Sequence, residues 1–219
     1  MIKNKRNLKF WYLFISPFFI ILIGYSTATV FNHFIGGWAW IPLAIIYWTF
    51  LGISIWNFKG DKKLGAWFIK SKKAPFWITI SMLIGIFPLT ILLTSYHLFN
   101  SIWLIVFWLL FAFINPWFEE YYWRGILLDN LLTKFPKWFA ILYSTLLFVI
   151  SHPLMWGVFS YASKSYHLYL YLSVTSIVWA ITYLKTKSLR YIILSHFIVD
   201  IGNLTVLTFL NIYVPPTMS

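Results

Sequence analysis

Seven long apolar runs separated by short polar or basic turns dominate this 219-residue chain: Phe10–Phe31, Trp38–Trp56, Phe76–Tyr96, Ser101–Trp117, Trp138–Ser151, Tyr166–Leu184 and Tyr191–Tyr213. A helix needs about 20 predominantly apolar residues to cross hydrocarbon, and most of these runs approach or reach that length. In hydrocarbon the backbone has to satisfy its own polar groups, which a helix does within one segment. Only 10% of the residues are charged, against about a quarter in an ordinary soluble chain. The expected fold is therefore all-α: a polytopic transmembrane bundle of about seven to eight helices. Residues 1–219 form a single integral membrane domain, with a catalytic core over about 101–205. Ser26-Thr27-Ala28 faintly resembles a signal-peptidase site, but the run before it is long for a signal, so it reads as an uncleaved span.

The formal net charge of +12 does not indicate nucleic acid, because the lysines sit in blocks between the apolar runs. The N-terminus carries Lys3, Lys5, Arg6 and Lys9; residues 59–73 carry Lys59, Lys62, Lys63, Lys70, Lys72 and Lys73 with one acid, Asp61. Lys134 and Lys137 flank Pro136, and Lys185, Lys187 and Arg190 form the last block. Alternating the spans puts all of these on one side. The turns near 32–37 and 97–100 carry no lysine or acid, and 153–165 holds only Lys164. That bias places the N-terminus in the cytoplasm of a multi-pass protein whose basic turns meet anionic lipid heads. Pro215-Pro216 closes the last span. The chain has no cysteine, which excludes disulfides, thiolate metal sites and cysteine catalysis.

Five acidic residues occur in the whole chain, and two are adjacent, in Glu119-Glu120-Tyr121-Tyr122-Trp123-Arg124. Ionisable side chains at hydrocarbon depth are costly, and mark function by default. Successive helix residues point about 100° apart, whereas residues four apart share a face. Glu120 therefore pairs with Arg124, leaving Glu119 to face a cavity as a general base towards water. His152 follows Phe148 by four residues. His196 precedes Asp200 by four, with Asn203 further along the same stripe. Two imidazoles and two carboxyl groups suit either water activation or metal ligation. His33, His97 and His167 fall at span ends and read as interfacial. Asp129 reads as a cytoplasmic surface residue, and the tryptophans and phenylalanines as lipid-facing or packing groups.

These three motifs, in this order and each in its own apolar segment, resemble the CPBP family of intramembrane proteases, which includes type II CAAX prenyl endopeptidases and bacteriocin self-immunity proteins. The family pattern EExxxR, FxxxH and HxxxN or HxxxD reads here as Glu119-Glu120-xxx-Arg124, Phe148-xxx-His152 and His196-xxx-Asp200. The resemblance implies that Glu119 and His152 activate the attacking water, that His196 and Asp200 stabilise the oxyanion, and that Glu120 and Arg124 support the site. Many relatives carry Asn where this chain has Asp200. An ionised Asp only accepts hydrogen bonds, so Asp200 must act protonated, orient His196 or bind a cation, with Asn203 as a substitute donor. No cofactor is favoured; zinc is the metal that Glu119, His152, His196 and Asp200 would hold.

The leading function is hydrolysis of a peptide bond in a membrane-associated peptide or protein, in bacteriocin self-immunity or signal-peptide processing. The alternatives are a catalytically silent binding or immunity protein of the same family, and a small transporter, which the lack of inverted repeats disfavours. Partners are a peptide or membrane-protein substrate and the bilayer, in a cell membrane of bacterial type. No HExxH motif is present for a zinc protease of the helical type. One difficulty attends the assignment. Counted along straight spans, Glu119 lies near the cytoplasmic face and His152 near the opposite one, about 20 Å apart. For both to act on one water, either the helices tilt and break, with Pro116 and Pro153 as break points, or the span assignment is wrong there.

Overall fold

A computed structural model describes residues 2–60, 63–69 and 72–215. Asp61, Lys62, Lys70 and Pro216 lie outside the described residues, as do the side chains of Lys3, Lys5 and Arg6. The described residues form helices and turns with no strand. Two long helices open the chain, α1 (Ile2–Ile35) and α2 (Trp40–Phe58), joined by a tight turn at Gly36, whose φ of +55° suits glycine. Five helical stretches are long and apolar enough to cross a membrane: Asn7–Phe58, which takes in most of α1 and all of α2, and Pro75–Leu98, Ile102–Leu131, Lys137–Val158 and Tyr166–Thr186. The protein is a multi-pass helical membrane bundle.

The third apolar run is not one helix. It divides at Pro88 into α4 (Pro75–Ile86) and α5 (Leu89–Ser95). Proline lacks the N–H that continues the ladder, and its ring crowds the preceding turn. The basic segment before it is more than a loop. It contains a short helix, α3 (Leu64–Ile69), whose buried Trp67 accepts a backbone hydrogen bond from Leu189 at 2.8 Å.

The fourth run departs most from expectation. No break occurs at Pro116: α6 (Ile102–Glu120) passes through it and continues as a π-helix, Tyr121–Leu128, and a last turn, α7 (Asp129–Leu131). Every residue of the π-helical stretch is buried. Such widened turns are uncommon and often occur at functional sites. This continuity removes the difficulty of depth. Glu119 is 12 residues from the end at Leu131, and His152 is 15 residues from the start of α8 (Lys137–Met155). At 1.5 Å per residue, both stand about 18–22 Å from the same turn. Ending the fourth span at Trp117 placed Glu119 too near the surface. Neither proline breaks its helix, since α8 also runs through Pro153.

The seventh run is corrected as well. After α9 (Tyr166–Thr186) comes α10 (Arg190–Gly202), at 13 residues too short to cross a bilayer. Asn203 ends it, Leu204 takes a left-handed φ of +50°, and a five-residue α11 (Thr205–Phe209) follows. Asn203 is therefore not a further turn of the His196–Asp200 stripe. Two glycines seat the kinked third run on α10. A Cβ on Gly85 would lie 2.5 Å from Ser195 Oγ, and one on Gly202 would lie 2.6 Å from the Pro88 carbonyl carbon.

Candidate active site

The buried end of α6 and the π-helix after it carry the central charges. Arg124 Nη1 donates to Glu120 Oε1 at 3.1 Å, the expected pair four residues apart. Arg124 Nη2 donates to Ser176 Oγ at 3.0 Å, and Ser176 donates to Thr145 Oγ1 at 3.1 Å. The guanidinium also lies over the Phe148 ring at 4.6 Å and the Trp179 ring at 5.4 Å. A planar cation is well suited to such a stacked, forked position. Phe148, the first residue of the FxxxH motif, thus packs against the ion pair.

Glu120 has a second donor, since His196 Nδ1 lies 2.8 Å from the same Oε1. A carboxylate accepts, so Nδ1 carries the proton here. Trp179 stacks on the imidazole with ring centroids 4.6 Å apart. These contacts hold His196 with Nε2 towards Glu119 Oε2, at 3.4 Å, and Asp200 Oδ2, at 3.8 Å.

Glu119 faces the cavity as expected, but it is not unpartnered. Tyr47 of α2 donates its hydroxyl to Oε1 at 2.8 Å, and Trp123 Nε1 donates in turn to the Tyr47 oxygen at 3.2 Å. Asn115 Nδ2 lies 3.2 Å from Glu119 Oε2 and 3.2 Å from Asp200 Oδ2, bridging the two carboxyls. Its amide orientation is set by Trp48, whose indole N–H can only donate and meets Asn115 Oδ1 at 3.0 Å. The Asp200 carbonyl accepts from Trp108 Nε1 at 3.3 Å and Thr205 Oγ1 at 2.9 Å, anchoring the end of α10.

His152 stands across the Phe148 ring, 4.8 Å from it, while His196 is 6.5 Å away on that ring's other contact. His152 Nδ1 bonds the Phe148 carbonyl at 2.8 Å. A carbonyl cannot donate, so the proton is on Nδ1 and the neutral ring's lone pair is on Nε2. Glu119, His152, His196, Asp200, Asn115 and Asn203 all line one cavity of about 360 Å³.

Glu119, Glu120, Arg124, His196 and Asp200 therefore form one contact network, with His152 on the same cavity and Asn203 lining it further out. Asp129 is not a free surface residue: it is partly buried and accepts from Tyr183 at 2.9 Å. Asn115 and Tyr47 went unassigned in the sequence. Asn115 had a readable signal, a polar residue four before Glu119 on its face. Tyr47 had none, being one aromatic residue in an apolar helix.

The residues named for zinc, Glu119, His152, His196 and Asp200, line one cavity. Zinc takes three protein ligands at about 2.0–2.2 Å and an open position. Among the described residues no group of three or more His, Asp or Glu side chains is placed to hold a metal ion.

Residues 101–202 match the family described as type II CAAX prenyl endopeptidase, Rce1-like. No curated protein and no solved structure matches the chain.

Proposed function

Starting from residues 101–202 as a segment of the Rce1-like family of type II CAAX prenyl endopeptidases, we propose that this protein is an intramembrane endopeptidase that uses Glu119 as its base. What supports the reading is the convergence of all three motifs on one cavity, with His196 Nε2 within 3.8 Å of both Glu119 and Asp200. Water held between Glu119 and His152 Nε2 attacks the peptide carbonyl carbon while Glu119 takes its proton. Negative charge then develops on the carbonyl oxygen. His196 Nε2, when it carries a proton, is the donor available to it; both N–H groups of Asn115 are already given to Glu119 and Asp200. As the C–N bond breaks, Glu119 returns the proton to the leaving amine. Asn115 acts as a positioning residue, donating to Glu119 and Asp200 at once.

Glu120 and Arg124 act through His196, fixing its tautomer and orientation. The mechanism uses no metal. Cleavage that survives exhaustive chelation supports this; loss restored by stoichiometric zinc overturns it. By the positive-inside rule the lysine-rich end, with the N-terminus, is cytoplasmic, in the cell membrane of a bacterium. Bacteriocin or signal-peptide substrates remain the physiological setting to test. The decisive experiment compares new protein N-termini in membranes carrying the wild-type chain or Glu119→Gln. Termini that depend on Glu119 are expected. An identical set from both would leave a catalytically silent binding protein as the reading.

A further inference from the structure

The lysines and the cavity occupy opposite ends of the bundle. One end is defined by contacts between distant segments: Lys134 Nζ donates to Asn7 Oδ1 at 3.0 Å, Lys72 N to the Thr186 carbonyl at 2.6 Å, and Ser188 Oγ to the Phe68 carbonyl at 3.0 Å. The basic blocks around 59–73, 134–137 and 185–190 are thereby gathered together. The other end is defined equally well. Ser160 Oγ donates to the Thr208 carbonyl at 3.0 Å, Tyr161 N to Asn211 Oδ1 at 2.9 Å, and Gly37 lies against Phe209 and Leu210. Among the described lysines and arginines, Lys164 alone belongs to this end.

The cavity runs from Glu119 towards this second end. Beyond His196 and Asp200 its lining continues to Ser163, Ser165, His167 and Pro215, and none of the residues from the basic blocks lines it. Its walls are apolar, including Phe87, Ile91, Leu168 and Phe209. No acidic residue lines it besides Glu119 and Asp200. Glu119 is only 1% exposed at its floor, so a folded domain cannot present a bond to it, whereas an extended strand of a few residues fits about 360 Å³.

We infer that the site is served from the extracytoplasmic side: its substrate is an extended apolar polypeptide segment that reaches the bilayer from outside the cytoplasm. This rests on the endopeptidase reading for the word substrate, and on the lysine bias for the direction. Among the described residues, the cavity at the basic end, about 250 Å³ and lined by Lys9, Lys59 and Trp67, includes neither Glu119 nor His196, and Tyr121 donates to the Leu64 carbonyl at 3.0 Å.

The chain's lack of cysteine makes the test direct. His167→Cys at the cavity mouth, Tyr161→Cys beside it and Lys63→Cys at the basic end are each exposed positions. Intact bacterial cells expressing each full-length variant are treated with a membrane-impermeant maleimide. Labelling of His167→Cys and Tyr161→Cys in intact cells, with Lys63→Cys labelled only after permeabilisation, is expected; the reverse pattern overturns the direction. The new N-termini that depend on Glu119 are then mapped on their parent proteins. They are expected in apolar segments at or beyond the outer face, and termini within cytoplasmic loops overturn the inference while leaving the endopeptidase intact. A complete absence of Glu119-dependent termini overturns the endopeptidase reading instead, whichever way the labelling falls.

Discussion

The floor of the cavity and its α4–α5 wall are built on opposite principles. The floor, on α2, α6, the π-helix and α10, is held by polar contacts: Arg124–Glu120, Glu120–His196, Tyr47–Glu119 and the Asn115 bridge. In a low-dielectric interior each such contact is strong, and each lost partner is costly. The wall has few polar contacts, such as Tyr171 donating to the Ile84 carbonyl at 2.9 Å. It is seated instead by shape, through Gly85 and Gly202. Its outer surface is largely apolar, with Leu93 72% exposed, and its exposed Thr90 and Thr94 hydroxyls bond back to the Phe87 and Thr90 carbonyls. On the proposed endopeptidase reading, a floor of paired charges would hold the reacting groups in place, whereas a wall of dispersion contacts could yield to a substrate.

Substitutions can break this contrast, and the floor should give the larger effects. Glu119→Gln keeps the shape and removes the proton acceptor. Cleavage is expected to fall by about 10² or more with thermal stability in detergent unchanged; undiminished turnover by the purified variant would remove Glu119 from the chemistry. Arg124→Ala comes next. It leaves Glu120 as a buried charge with one donor fewer, at a cost of about 3–5 kcal/mol, seen as lower membrane yield and melting temperature. A variant as stable as the parent would mean that the pair carries no structural weight.

For the wall, the contrast predicts a packing effect. Gly202→Ala puts a methyl group against the Pro88–Leu89 backbone, which cannot give way as a flexible side chain would. Overpacking of this kind costs about 1–3 kcal/mol, and should change the apparent affinity for substrate more than the rate of the chemical step. Equal loss in both would show that the wall also positions the catalytic groups. Leu93→Ala lies on the exposed face and should shift stability by no more than about 0.5 kcal/mol. A larger shift in melting temperature would show that α5 packs against something besides lipid.

Much of the floor was legible in the sequence because helical spacing is a local rule. Glu120 and Arg124 share a face at four residues, as do His196 and Asp200, and both pairings occur. Glu119 diverges from Glu120 by one residue's rotation, and so turns to the cavity. The same rule could have found Asn115. It could not have found Tyr47, because which aromatic residue of α2 meets Glu119 depends on how two distant helices are rotated against each other. The stripe through Asn203 failed for a local reason, the left-handed turn at Leu204. A leucine there carries no signal for such a turn.

Composition and spacing alone determined that this chain is a helical membrane bundle, where its polar groups interrupt the apolar runs, and which charges pair. Those properties follow from the solvent cost of charge and from 3.6 residues per turn. The tertiary structure decided the rest. It carried the fourth helix through Pro116 to Leu131, so that Glu119 and His152 stand at one depth. It cut the last run short at Gly202 and gave Asn115 two carboxyls to bridge. It also opened the cavity away from the lysines. Helix ends, relative rotation and the direction of a cavity are set by packing between segments distant in the chain, and hydropathy carries no record of that packing.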